Sequence, residues 1–234
     1  MAEHRIVIVT AASRGIGAAC ARELAGRGYT VALMARSEEV HDLARDLDGL
    51  GYVGSVTREG DLTGMVRHTL DAYGRIDAVV NNTGHPAAGD LLALDDAQWH
   101  EALDLLVLNV VRMARLVTPT MERGGGGAIV NISAFGAIEP DAAYPLSSAL
   151  RAALAGVTKL YGDRYAAAGI RMNNVLPGFV DSYEVAEGRL HTIPMRRPAR
   201  VAEVARTVAF LLSDDAAYIT GQNIRVDGGL TRSL

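Results

Sequence analysis

Ile6-Val-Ile-Val-Thr10 runs without a break into Ala11-Ala-Ser13-Arg14-Gly15-Ile16-Gly17, and this passage decides the fold. All five residues of the first run are β-branched, stiff at χ1 and suited to a strand. None is charged, as expected of a strand buried on both faces of a parallel sheet. A helical pattern starts at Gly15, so the glycines sit between a strand and a helix N-terminus. Glycine there lets backbone approach a pyrophosphate, which also meets the positive end of the helix dipole. Thr10, Ser13, Arg14, Gly15, Ile16 and Gly17 are therefore candidate dinucleotide ligands.

Outward from this turn, short β-branched runs alternate with longer helical patterns. Strands are expected at 6–10, 30–34, 54–57, 78–81, 128–133, 171–176 and 223–226. Helices are expected at 15–27, 38–50, 63–73, 96–122, 144–168 and 201–212. Such alternation implies right-handed crossovers and a Rossmann-type doubly wound α/β sheet of about seven parallel strands, helices on both faces. No linker or repeat divides the chain, so residues 1–234 are read as one domain.

Composition agrees. The chain is 49% hydrophobic and 21% charged with a net charge of −4, which disfavours disorder and gives no basic surplus for nucleic acid or an anionic membrane. Its single cysteine, Cys20, excludes an intrachain disulfide and a four-cysteine zinc site, and no metal site is expected. Met1–Arg5 has no signal-peptide layout and no apolar run approaches a membrane span, so the default location is the cytoplasm.

The glycine-rich turn resembles that of the short-chain dehydrogenase/reductase superfamily, including 3-oxoacyl-ACP reductase-like members, and the resemblance spans essentially the whole chain. Further motifs follow in the family's order. Asp61-Leu62 resembles its adenine-contacting pair, and Asn81-Asn82-Thr83-Gly84 its Asn-Asn-Ala-Gly motif. Asn109 lies where its helix-bending catalytic asparagine belongs. Pro177-Gly178, with Val180 and Ser182 behind it, resembles its loop beside the nicotinamide. Ala11 replaces the family's first glycine.

The second strand ends Ala32-Leu-Met-Ala-Arg36-Ser37, with no carboxylate to bind the ribose diol of NAD. Arg36 and Arg14 suit bidentate binding of a 2′-phosphate, which favours NADP(H) over NAD(H).

The resemblance implies that a tyrosine moves the proton, a serine orients the carbonyl, and a lysine four residues after the tyrosine supplies positive charge. A free phenol has a pKa of ~10 and is a poor base without such charge. Tyr144 matches the tyrosine, but Ser148 occupies the lysine position. The only lysine, Lys159, lies about 22 Å along the helix from Tyr144. Arg151 stands one turn beyond Ser148 on nearly the same face. The serine is Ser133, unless the register places Ala134 there. His85 is an alternative acid, and the lid at 179–194 is short.

These residues imply an NADP(H)-dependent carbonyl reductase or alcohol dehydrogenase with a degraded tetrad of Tyr144, Ser133, Asn109 and Ser148. The alternative is a weakly active or inactive NADP(H)-binding sensor or partner subunit. Apolar residues on the two long helices (Leu103, Leu106, Val110, Met113, Leu154, Val157) suggest a homodimer or homotetramer interface.

Overall fold

The computed structural model describes residues 5–233. Residues 1–4, most of the Met1–Arg5 stretch, and Leu234 lie outside the described residues. Strands β1 (Ile6–Thr10), β2 (Thr30–Ala35), β3 (Leu50–Val53), β4 (Ala78–Asn81), β5 (Gly127–Ile132), β6 (Ile170–Pro177) and β7 (Asn223–Val226) form one sheet. Its order is β3-β2-β1-β4-β5-β6-β7, with every pairing parallel. The chain winds outward from β1 to β3, then returns to β4 and winds the other way. The switch point, where such sheets bind ligands, lies between β1 and β4 at their C-terminal ends.

The helices are α1 (Gly15–Gly26), α2 (Glu39–Asp46), α3 (Glu59–Tyr73), α4 (Asp96–Leu103), α5 (Asn109–Arg123), α6 (Pro145–Tyr165), the single-turn α7 (Glu187–Leu190) and α8 (Val201–Leu212). They cover both faces. Val7 and Val9 of β1 pack with Leu24, Val40, Val204 and Val208 from α1, α2 and α8. Ile8 between them packs with Met65, Val110, Met113 and Leu154 from α3, α5 and α6. The period of two in a strand thus fills two cores at once. Local signals set the ends: a capping box of Asp95 and Gln98 opens α4, Pro145 opens α6, and Gly74 closes α3 with φ of 72°. No helix of the described residues is long and apolar enough to cross a membrane.

Three expectations need correction. The third strand is Leu50–Val53, not 54–57, and α2 stops at Asp46. Asp48, at φ of 51°, turns the chain early so that Leu50 to Val53 can pair with Ala32 to Ala35 of β2. The long helix expected at 96–122 is interrupted by a π-helical turn at Asp104–Leu108. The interface argument also changes: Leu106, Val110, Met113 and Leu154 are no more than 2% exposed within this chain. The surface they leave between α5 and α6 is a groove of about 420 Å³ lined by Val111, Pro119, Val157 and Tyr161 among others, with Leu160 exposed on α6.

A parallel sheet has no hairpin to set its register. Here a row of buried amides contributes to it. Asn81, Asn131, Asn174 and Asn223 stand opposite one another on β4 to β7. Asn81 donates to Asn131 (2.9 Å), Asn131 to Asn174 (2.9 Å), and Asn174 to Asn223 (2.8 Å). Thr158 of α6 accepts from Asn131 (3.2 Å) and donates to Asn174 (2.9 Å), locking the helix to the row. Asn131→Ala strands polar groups on both sides and is expected to cost about 3 kcal/mol. Thermal melting should show a fall of roughly 6–12 °C; a change under ~2 °C would show that the row is dispensable.

Candidate active site

The C-terminal ends of β1 and β4 are clamped by Thr10. Its hydroxyl donates to the Asn82 carbonyl (2.7 Å) and accepts from the Asn82 amide (2.9 Å). The Asn82 side chain donates to the Ala11 carbonyl (3.1 Å), fastening the turn from the other side. Gly17 fits beneath this clamp because a Cβ there would stand 2.3 Å from the Ala11 oxygen. Gly15 adopts φ of 58° and Ala11 adopts 46°, a left-handed conformation that its methyl group penalises.

Arg14 occupies the N-cap of α1, and no side chain caps the helix. Its first turn holds no acidic residue, so the leading amides point into an unneutralised positive end. Ser13 and Ile16 flank this end and are half-buried, Ile16 against the core. Ser182 lies over it, its Cβ 3.4 Å from where a Cβ on Gly15 would be. Arg14 and Arg36 are exposed, and neither has an ion-pair partner among the described residues.

The adenine-contacting pair is placed differently from the sequence expectation. Leu62 is 1% exposed in the core, and its amide donates to Arg58 inside the helical turn (3.2 Å). Asp61 accepts from the Ser55 amide (2.8 Å). β3 ends at Val53, paired with Ala35, so Gly54 comes level with Arg36 and Ser55 and Val56 follow; the strand expected at 54–57 lies four residues late.

On the other half, Gly84 is exposed at the end of the β4 motif. Pro177 closes β6, and Gly178 donates to Val226 (3.0 Å) with Asp227 too close for any side chain at that position. Val180 is buried at 2% and acts as an anchor for this loop rather than an exposed contact. Ser133 follows β5, 4% exposed, its amide donating to Val175 (2.8 Å). Its Oγ has no hydrogen-bond partner among the described residues, and the same holds for the buried Thr83 Oγ1. Buried hydroxyls are rarely left so.

The ladder breaks just before Asn109, whose amide bonds Asp104, five residues back, and whose side chain donates to the Leu105 carbonyl. Such π turns collect at functional sites. Tyr144 stands at the N-cap of α6, 45% exposed, its hydroxyl without a partner among the described residues. Ser148, one turn on, is buried with its hydroxyl against the loop before Tyr144: it accepts from the Asp141 amide (3.1 Å) and donates to the Asp141 carbonyl (3.4 Å). Arg189 of α7 donates to the Asp141 carboxylate (2.9 Å) and its guanidinium lies 5.5 Å from the Phe179 ring centre. The short lid and the tyrosine loop are therefore tied together.

His85 meets Tyr183 edge-on at 5.8 Å. Burial, and then the Arg151 charge, push the His85 imidazole below its ordinary range, so it is neutral near pH 7. Burial, reinforced by nearby Tyr144, raises Tyr183. Lys159 pairs with Asp163 on the exposed side of α6 and takes no part.

A doubly wound sheet with an uncapped helix at its switch point and orphaned hydroxyls after β4 and β5 has the architecture of dinucleotide-binding proteins. The family described as enoyl-(acyl carrier protein) reductase matches residues 10–231. The 3-oxoacyl-[acyl-carrier-protein] reductase FabG of Staphylococcus aureus is 34% identical over 237 residues, 95% of this chain and 96% of that one. The 7alpha-hydroxysteroid dehydrogenase of Clostridium sardiniense is also 34% identical, covering 97% and 93%. The solved L-sorbose reductase from Gluconobacter frateurii, complexed with NADPH and L-sorbose, superimposes with a TM-score of 0.91 at 26% identity, covering 99% and 98%. The chain belongs to the short-chain dehydrogenase/reductase superfamily.

Because Ala11 carries a left-handed backbone, Ala11→Gly is expected to stabilise the fold by about 1 kcal/mol. A melting temperature raised by roughly 2–4 °C would show it; a lowered one would mean that the methyl group contributes packing that outweighs the strain.

Proposed function

We propose that this chain is an NADP(H)-dependent oxidoreductase that interconverts a small-molecule carbonyl and its alcohol, with Tyr144 as proton donor and acceptor. The observation that carries this is the buried Ser133 Oγ at the end of β5, which, like the exposed Tyr144 hydroxyl at the start of α6, has no partner among the described residues. Two hydroxyls with no partner among the described residues are what a carbonyl oxygen requires.

The residues fit a dinucleotide phosphate. The free amides at Gly15, Ile16 and Gly17 suit its pyrophosphate, with Thr10, Ser13 and Asn82 shaping the turn. Arg14 and Arg36 suit a 2′-phosphate, and Ser55, Val56 and Asp61 border the adenine end. Gly84, Pro177, Gly178, Val180 and Ser182 enclose the nicotinamide end. The likeness to a reductase solved with NADPH supports this choice. NADPH, when bound, supplies the hydride to the carbonyl carbon. Tyr144 gives its phenolic proton to the carbonyl oxygen, and Ser133 donates a hydrogen bond that orients it. Asn109 holds the helix bend beside the site.

Ser148 carries no charge, and its hydroxyl is already engaged by Asp141. Reduction uses Tyr144 as an acid, whereas oxidation needs it as a base, so the missing lysine weakens oxidation more. The same engagement favours a second reading, a weakly active NADP(H)-binding sensor or partner subunit. The groove between α5 and α6 fits self-association into a homodimer or homotetramer.

Titration followed by nicotinamide fluorescence tests the cofactor. NADPH is expected to bind at least ~10-fold more tightly than NADH, and Arg36→Ala to weaken NADPH alone by about 10- to 100-fold. Equal affinities would remove the role of the two arginines. Binding of neither would leave a scaffold. With NADPH bound, a screen of ketones and aldehydes separates the enzyme from the sensor. For an active pair, oxidation at neutral pH that matches reduction, after allowing for equilibrium, would contradict the weakened-base argument.

A further inference from the structure

Arg151 is 4% exposed, and no carboxylate among the described residues pairs with it. A buried, unpaired guanidinium is costly unless something else meets its charge. Its Nη1 donates to the Ile132 carbonyl (2.7 Å) and its Nε to Ser147 (3.1 Å), while Nη2 has no partner among the described residues. Ile132 is the last residue of β5, and its carbonyl belongs to the peptide that carries the Ser133 amide. Across β5, the Arg151 charge is felt by His85 on the loop after β4. The guanidinium is thus fixed against the last carbonyl of β5, on the peptide that leads into Ser133. Ser148 cannot supply a cation there, and Lys159 points to solvent.

We propose that Arg151 is the built-in cation of this site, a positioning residue that replaces the missing lysine charge. It acts through the Ile132–Ser133 peptide to favour negative charge on an oxygen held by Ser133. The proposal rests on the carbonyl–alcohol reading above. Fixed charge in a dry site costs no reorganisation when the oxygen gains charge, so the effect falls on kcat rather than KM.

The charged groups on the elements packed against α6 do not cancel it. Asp141, in the loop before Tyr144, is taken by Arg189 at 2.9 Å. Asp104 of the π turn is taken by Arg112 at 2.7 Å. Arg171 of β6 bonds the Leu211 and Ser213 carbonyls. On α4, Asp96 and Glu101 are exposed and His100 bonds the Asp96 carbonyl. Tyr144 itself stands at the helix start.

Arg151→Met and Arg151→Lys separate charge from packing. Ring-proton NMR of His85, assigned with His85→Gln, should show its titration moving to higher pH in Arg151→Met and staying near wild type in Arg151→Lys. In turnover, Arg151→Met should lose about tenfold in kcat with little change in KM, and Arg151→Lys should recover most of it. An unmoved His85 titration in a folded Arg151→Met overturns the proposal. So does a loss of melting temperature with kcat unchanged, which would make Arg151 structural only. If the wild type turns over no carbonyl or alcohol, the redox reading fails, and the His85 titration still decides whether Arg151 is the charge that this site feels.

Discussion

The buried row of asparagines across β4 to β7 is the interaction on which the site depends. Parallel strands are joined by crossovers, so nothing local dictates how far one slides along its neighbour. A slip would break a chain of amide bonds in a dry interior, where unmade bonds are expensive. Held in register, the strands deliver Asn82, Thr83, Ser133 and Pro177 to one rim. Thr158 adds α6 to the same network and so sets where its N-terminus, with Tyr144, comes to rest.

The other half of the rim is held by Thr10 and Asn82, which bind β1, β4 and the glycine-rich turn at the switch point. One side of the site therefore answers to the turn and the uncapped α1, and the other to the end of β5 and the start of α6. The hydroxyl of Ser148 serves the second side as a strut for the Asp141 loop. The serine bonds the backbone just before Tyr144, and the buried Arg151 lies one turn further along the same helix face.

Much of this was legible from local chemistry. The β-branched runs located six of seven strands, and Gly15, Asn82, Asn109, Ser133 and Tyr144 occupy the rim or its supports. The failures share a cause. The third strand is an edge strand reading Leu-Gly-Tyr-Val, too weakly apolar to announce itself, and only pairing with β2 locates it. With that shift Asp61 and Leu62 fall inside α3, Leu62 in the core, and Ser55 and Val56 follow the strand. The π turn before Asn109 leaves the helical period nearly intact, so 96–122 reads as one helix. Leu106, Val110 and Met113 read as surplus apolar residues because a sequence does not show how much of a helix the sheet will cover.

The sequence by itself determined the class: alternating strands and helices, a glycine-rich turn at the first crossover, and a tyrosine whose companion lysine is absent. These follow from short-range effects, namely side-chain branching, backbone freedom at glycine and the period of apolar residues. Tertiary structure decided the rest: which asparagines face one another, that Ser148 turns to Asp141, and that Arg151 lies buried against the end of β5 with no carboxylate partner among the described residues. Those outcomes depend on residues far apart in the chain sharing one desolvated space, where every polar group must find a partner or wait for a ligand.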